Sequence, residues 1–205
     1  SKYKNRFSGT LGDIGCFSAH PLKNFNAMGD AGFIVTKYTN LAKQIKMLRN
    51  HGLETRNNSK FFGYVSRMDN IQASILNYRI KNLDKIILKR RKIAAIYFKL
   101  LKSIKQIDLP YEDNDNYNTY HTFVIRCKNR KSLIKYLNSK GIETKIHYPI
   151  PIHKQTASLM LGLNNISLKN TEKFSKQILS LPINQYLKIS DIKYISKEII
   201  NYYSQ

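Results

Sequence analysis

One lysine, Lys23, lies in a short loop between two strand-like runs, a position where an amine can act as a nucleophile. The run before it, residues 14–17, is apolar, and the run after it, residues 32–36, is β-branched and aromatic. Proline and glycine residues punctuate a tight connection, at Pro21, Gly29 and Gly32. Partial burial at a strand end lowers an amine's pKa and favours Schiff-base chemistry. The alternative is an ordinary solvated loop lysine, because the chain has 35 Lys+Arg in 205 residues.

The elements that must position Lys23 follow from the periodicity of apolar residues. Residues 8–19 and 31–37 are predicted as short strands on either side of the lysine loop. A helix is predicted over 40–50, because its apolar residues share one face and a glycine follows its end. A polar loop over 54–62 then precedes a long amphipathic helix that begins at Arg67.

Beyond Pro110 the pattern changes to alternating strands and helices. The predicted elements are a loop over 111–118, strands over 120–127 and 144–148, and helices over 129–139, 170–179 and 190–203. This order is typical of a compact α+β unit that follows the long helix.

Composition excludes several classes of protein. No run of about 18 apolar residues occurs, so no segment is predicted to span a membrane. The first residues lack the apolar core of a signal peptide, and the missing initial Met indicates that the chain begins partway through a longer one. Cys16 and Cys127 both fall in apolar strand-like runs, which favours buried free thiols and a reducing cytoplasm. Cysteine and histidine spacing shows no zinc pattern.

The segment GDIGCFSAHPLKNFNAMGDAGFIVT, residues 12–36, resembles the cofactor-lysine signature of the PLP-dependent nucleotide-sugar aminotransferases of the DegT/StrS type. The matching positions are Gly12, Asp13, Gly15, Ser18, Lys23, Gly32 and Thr36. Ala31 is a mild departure, because the family usually has glycine there. Four later segments also resemble family motifs and recur in the same order, at residues 48–52, 63–73, 147–153 and 179–183.

The resemblance implies the fold class: α/β, the C-terminal part of a PLP-dependent aminotransferase of fold type I. Residues 1–100 would form the end of the large α/β/α domain with its linking helix, and residues 101–205 the small α+β domain. The family's first half carries the ring-stacking aromatic, the carboxylate for the ring nitrogen and the phosphate loop, and none of these motifs is found here. The chain therefore resembles a C-terminal half that does not hold pyridoxal 5'-phosphate productively by itself.

The resemblance also assigns roles to two residues near the loop. Lys23 would form the Schiff base with pyridoxal 5'-phosphate and move the proton at the reacting carbon. Ser18 stands where the family has a hydroxyl donor to the cofactor phosphate, although an ordinary strand-end serine is the alternative.

Three further residues are weaker candidates for substrate or interface contacts. Arg67 belongs to a motif that reaches the partner subunit's active site in the family, and it would pair there with an anion or form a salt bridge at a helix start. Val65 replaces the family's usual asparagine, so that phosphate contact is lost or is supplied by Ser66 or a backbone amide. Tyr148 and His153 lie among prolines in an extended segment, where they would contact a sugar or nucleotide or only pack at the domain edge.

The function implied by the resemblance is amino transfer, with glutamate as donor, to a nucleotide-linked keto-sugar by a cytoplasmic homodimer. A dehydratase of the same family is disfavoured, because such members lack the lysine. A silent remnant that only dimerises or binds a partner remains open. The net charge of +22 suggests nucleic-acid binding, but the lysines are spread along the chain and no nucleic-acid-binding motif is visible, so neither nucleic acid nor a membrane is expected as a partner.

Overall fold

The computed structural model describes residues 1–204 of the chain. Its α-helices are α1 (Thr39–Leu48), α2 (Asn70–Arg79), α3 (Leu83–Leu101), α4 (Arg130–Ser139), α5 (Thr156–Met160), α6 (Lys169–Ser175) and α7 (Ile189–Tyr203). Its strands are β1 (Lys2–Tyr3), β2 (Arg6–Phe7), β3 (Gly15–Ser18), β4 (Gly32–Val35), β5 (Leu53–Thr55), β6 (Asn58–Ser59), β7 (Ile107–Asp108), β8 (Asn116–Tyr117), β9 (Phe123–Cys127) and β10 (Ile178–Leu181). Short 3-10 helices cover Ile80–Asn82, Ile152–Lys154 and Leu163–Asn165. Within these described residues, no helix is long and apolar enough to cross a membrane.

The chain divides into two compact units. The first comprises Ser1–Ile87 and Glu112–Thr119, and the second comprises Leu88–Tyr111 and the residues from Tyr120 onward. The division therefore falls inside helix α3, earlier than the boundary after residue 100 that the sequence predicts. The assignment of residues 1–100 and 101–205 to a large and a small domain stays a prediction.

In the first unit, β3 and β4 form the antiparallel pair that frames Lys23. Ser18 lies opposite Gly32, and Phe17 stacks on Phe33 with 4.9 Å between ring centroids. The predicted strands over 8–19 and 31–37 are thus present but shorter. A small cluster of buried residues, comprising Ala19, Ala27 and Leu76, lies behind the loop that joins them.

Three short strand pairs of the first unit were not predicted. β1 pairs with β2 and with β8, and the loop predicted over 54–62 contains the hairpin β5–β6. These strands are two or three residues long and mostly exposed, so they leave no alternating apolar pattern in the sequence. The long helix predicted from Arg67 begins at Asn70 and is interrupted by the 3-10 turn before α3.

The second unit holds most of the buried apolar residues around the antiparallel sheet β10–β9–β7. Alternate residues of β9 are buried, and helices α3, α4 and α7 contribute apolar side chains to the same cluster. The predicted strand over 120–127 and helices over 129–139 and 190–203 are confirmed with small shifts at their ends. The sequence pattern was strong in these elements because each has one fully buried face.

Two predictions in the second unit are wrong. The helix predicted over 170–179 ends at Ser175, and Ile178–Leu181 forms strand β10 instead. This short apolar run pairs along its whole length with β9, and periodicity alone does not separate such a strand from a buried helical turn. The strand predicted over 144–148 is reduced to one bridge, between Lys145 and Ser180.

The two cysteines differ in exposure, which corrects the prediction that both are buried. Cys16 is exposed on β3, on the opposite face of the strand from the half-buried Phe17. Cys127 is buried at the end of β9, and burial raises the pKa of its thiol to about 11. The thiolate is the reactive form, so the two thiols have different reactivity.

We expect iodoacetamide near neutral pH to alkylate Cys16 and to leave Cys127 unmodified in the folded protein. Cys127 is protonated well below a pKa of about 11, and its surroundings exclude the reagent. Peptide mass spectrometry before and after denaturation would measure both sites, with Cys16→Ser as the control that removes native labelling. Equal labelling of the two cysteines in the native protein would contradict the burial of Cys127.

Candidate functional site

The Lys23 loop, residues 19–31, is closed by its own backbone hydrogen bonds. The amide of Ala19 donates to Ala31 O, and the amide of Ala27 donates to Ala19 O, both at 2.8 Å. The amide of Lys23 donates to His20 O at 2.9 Å, which makes a turn directly before the lysine. The Lys23 side chain is half-buried. The loop is therefore an ordered structure that presents one amine at the ends of β3 and β4.

Ser18 is the last residue of β3 and directly precedes the same loop. Its Oγ accepts a hydrogen bond from the His20 amide at 3.4 Å, and the His20 carbonyl in turn accepts from the Lys23 amide. The Ser18 hydroxyl is exposed. The structure thus places an exposed hydroxyl on the last strand residue before the loop that carries Lys23.

Two asparagines inside the loop hold it in place through their side chains, one within the loop and one to Thr119 outside it. Asn26 Nδ2 donates to Pro21 O at 2.6 Å, and Asn24 Nδ2 donates to Thr119 O at 3.0 Å. Asn24 Oδ1 is buried and has no hydrogen-bond partner among residues 1–204. Buried polar atoms are usually hydrogen-bonded, so this acceptor, on the residue after Lys23, would accept a hydrogen bond from a donor group of a bound ligand.

Helix α2 contributes two more contacts that the sequence analysis missed. Gln72 Oε1 accepts hydrogen bonds from the amides of Met28 and Gly29, at 2.9 and 3.1 Å. Arg79 Nη1 donates to Asn26 O at 2.8 Å. The sequence did indicate that residues 72 and 79 lie on one face of the helix, because they are two helical turns apart.

Arg67 is exposed just before α2 and forms no ion pair within residues 1–204. A salt bridge at the helix start, the alternative considered above, is therefore absent from the part of the chain that the structure describes. Val65 forms a backbone bridge with Asn50, and its side chain is 63% exposed. The Ser66 amide already donates to Arg49 O. Loss of the phosphate contact, or its supply by the Ser66 hydroxyl or another backbone amide, stays a prediction.

Tyr148 and His153 belong to the second unit and differ from each other. Tyr148 is 72% exposed, so its hydroxyl is open to a ligand. His153 is buried, and its Nε2–H donates to Glu172 Oε1 at 3.0 Å. This hydrogen bond, with another from the Leu168 amide, holds the pKa of the Glu172 carboxyl below its usual value. The contacts of His153 are therefore structural, and substrate contacts by either residue stay predictions.

The residues of the Lys23 loop fit part of what pyridoxal 5'-phosphate requires. The amine of Lys23 is of the kind that would react with the aldehyde, and the exposed hydroxyl of Ser18, directly before the loop, is of the kind that would bind the phosphate. Close approach of β4 to β3 depends on Gly32, because a Cβ there would lie 2.8 Å from Phe17 O. Within residues 1–204, no group of three or more His, Cys, Asp or Glu side chains could hold a metal ion. The chemistry of the Lys23 amine suits an aldehyde, and that of the Ser18 hydroxyl suits a phosphate.

Residues 1–200 match the model of the DegT/DnrJ/EryC1/StrS aminotransferase family. The chain is 35% identical, over 99% of its length and 55% of the relative's, to a pleiotropic regulatory protein of Geobacillus stearothermophilus. It is 35% identical to dTDP-3-amino-3,4,6-trideoxy-alpha-D-glucose transaminase of Streptomyces venezuelae, over 92% of this chain and 50% of that one.

Solved structures show the same partial coverage. The crystal structure of NtdA from Bacillus subtilis with bound cofactor PMP superposes with a TM-score of 0.90 and 30% identity. The superposition covers 97% of this chain and 47% of NtdA. The chain therefore spans about half the length of the relatives that it matches, and the predicted fold class is confirmed.

Proposed function

Because this chain belongs to the DegT/DnrJ/EryC1/StrS aminotransferase family, we propose that it forms the C-terminal half of a sugar aminotransferase that depends on pyridoxal 5'-phosphate. The enzyme would transfer an amino group from glutamate to a nucleotide-linked keto-sugar. One observation carries the proposal: a single half-buried lysine lies in a hydrogen-bonded loop between two paired strands, and the strand residue directly before that loop is an exposed serine.

In this proposal the chain's own residues bind the cofactor and move protons. Pyridoxal 5'-phosphate, when bound, supplies the electron sink and carries the amino group between the two substrates. Lys23 Nζ would hold the cofactor through its aldehyde and would move a proton at the reacting carbon. Ser18 Oγ would donate a hydrogen bond to the phosphate. The backbone of the loop holds both groups at one strand end.

The proposed substrates follow from the relatives and from charge. The Streptomyces venezuelae relative is named for an amino sugar linked to dTDP, and the Bacillus subtilis structure contains PMP, the amino form of the cofactor. A net charge of +22 would attract an anionic sugar nucleotide. Tyr148 is open to hydrogen-bond the sugar or nucleotide, and we propose a cytoplasmic location because both cysteines are free thiols.

We further propose a homodimer that uses the exposed segment around residues 62–71. Phe62, Tyr64, Val65 and Ile71 are all more than 60% exposed, although they are large apolar side chains within ten residues of one another. Arg67 lies within this segment and has no ion-pair partner in the described chain. A second subunit would cover the apolar side chains and offer an anion, such as the cofactor phosphate, to Arg67.

A second candidate is a chain without catalytic activity that only dimerises or binds a partner. The observation that favours it is the name of one relative, a pleiotropic regulatory protein. Under this proposal Lys23 would have no chemical role.

An amino-transfer assay separates the two candidates. The enzyme that contains this chain would be incubated with pyridoxal 5'-phosphate, glutamate and dTDP- or UDP-linked keto-sugars. The first candidate predicts release of 2-oxoglutarate and an amino sugar, both measured by mass spectrometry. An enzyme that binds the cofactor at Lys23 but releases no 2-oxoglutarate from glutamate would exclude the proposed donor. No cofactor binding at all would favour the second candidate.

A further inference from the structure

We propose that helix α2 sets the position of Lys23, and that Gln72 is a positioning residue that acts through the loop backbone. The inference rests on the proposed function, in which Lys23 must meet a cofactor aldehyde. Three side chains of α2 contact four consecutive loop residues: Arg79 contacts residue 26, Leu76 packs with residue 27, and Gln72 contacts residues 28 and 29.

The spacing of these three side chains places them on one face of α2, the face that contacts the loop. Gln72, Leu76 and Arg79 stand at positions i, i+4 and i+7, which lie above one another along an α-helix. Leu76 is buried with Ala19 and Ala27, and this apolar contact lies between the two polar ones. The helix therefore holds the loop by a cluster that excludes water in its middle and hydrogen-bonds the backbone at both ends.

Gln72 makes the more specific of the two polar contacts. Its Oε1 has two lone pairs, and these accept from two successive amides, of Met28 and Gly29. Glycine gives the amide group room at this contact, because a Cβ at Gly29 would lie 3.0 Å from Gln72 Nε2. Removing the acceptor leaves both amides without this protein partner, and they would hydrogen-bond to water instead.

Hydrogen bonds within the loop connect residues 26–29 to the turn that contains Lys23. Asn26 accepts from Arg79 with its carbonyl and donates from its side chain to Pro21 O at 2.6 Å. Pro21 lies within the turn that the hydrogen bond from the Lys23 amide to His20 O closes. A displacement of Asn26 therefore moves the turn that carries the lysine.

The test replaces Gln72 with leucine, which has a similar size but no acceptor, and with glutamate, which keeps two lone pairs on Oε1. Gln44→Leu is the matched control, because Gln44 is an exposed glutamine on α1. All variants are made in the enzyme that contains this chain. Two quantities are measured: hydrogen exchange of the Met28 and Gly29 amides, and the fraction of Lys23 that borohydride traps with pyridoxal 5'-phosphate, relative to exposed Lys43.

In Gln72→Leu we expect the two amides to exchange about tenfold faster or more, since two hydrogen bonds are lost. We expect trapping at Lys23 to fall severalfold while trapping at Lys43 is unchanged. Gln72→Glu should keep both quantities near those of the unmodified protein, and Gln44→Leu should change neither. Slow exchange at core positions such as Ile125 would confirm that each variant is folded.

Continued protection of Met28 and Gly29 in Gln72→Leu would overturn the proposal. Faster exchange with unchanged trapping at Lys23 would also overturn it, because the contact would then be structural only. If Gln72→Leu does not fold, Arg79→Met tests the same face, with faster exchange across the loop and reduced trapping expected. No trapping at Lys23 in the unmodified protein contradicts the proposed function instead, and the exchange rates then decide whether α2 holds the loop.

Discussion

Replacing Lys23 with alanine in the enzyme that contains this chain is expected to abolish covalent binding of pyridoxal 5'-phosphate and the visible absorbance that accompanies it. Alanine has no amine, and the other groups of the loop do not react with an aldehyde. Amino transfer should fall by at least about a hundredfold, because the group that moves the proton is lost as well. Absorbance spectra, borohydride trapping and release of 2-oxoglutarate from glutamate measure the three effects.

Lys43→Ala is the matched control for this substitution, because Lys43 is an exposed lysine on α1 and is distant in sequence from the loop. It should keep both the absorbance and the activity. A yellow species that survives in Lys23→Ala would show that another lysine holds the cofactor, and the assignment of the catalytic lysine would then be wrong.

The isolated 205-residue chain is expected to catalyse no amino transfer and to associate or aggregate. In the first unit only Ala19, Ala27 and Leu76 form a buried apolar cluster, whereas Leu22 and Met28 beside them are more than 70% exposed. Strands β3 and β4 pair only with each other among residues 1–204, so their outer edges are open to further strands. Exposed apolar side chains and open edges favour association.

Light scattering coupled to size-exclusion chromatography and binding of a hydrophobic dye would measure this association. The same chain joined to an N-terminal half of the family should elute as a defined oligomer, with lower dye binding and with amino-transfer activity. A stable, monomeric and active protein from the 205 residues alone would contradict the proposal that they form half of the enzyme.

Much of the fold was predictable from the sequence because several elements have one buried face. β9, α4 and α7 alternate or repeat their apolar residues with the period of their own geometry, and the structure confirms all three. The loop between β3 and β4 was predictable for a different reason, since proline and glycine mark its turns and the motif around Lys23 resembles a family signature. In these segments the local sequence pattern was sufficient to predict the structure.

The remaining features depend on partners that are distant in sequence. The apolar run at Ile178–Leu181 became a strand because β9 was available to pair with it. Arg90 falls in a lysine- and arginine-rich helix, yet its guanidinium is buried and donates to the carbonyls of Tyr120, His121 and Ile183. No local pattern predicts that a cation on such a helix will be enclosed by three backbone oxygens.

The features of the candidate site likewise divide into those that the sequence predicts and those that depend on tertiary contacts. The sequence identified the candidate amine through the resemblance of the segment around Lys23 to a family signature, together with the strand-like runs on either side of it. Only the tertiary structure decided what holds that amine in place: the side chains of Gln72 and Arg79, more than 40 residues away in sequence, hydrogen-bond the loop backbone. Backbone amides and carbonyls are identical in every residue, so a contact made to them leaves no trace in the sequence of the loop that receives it.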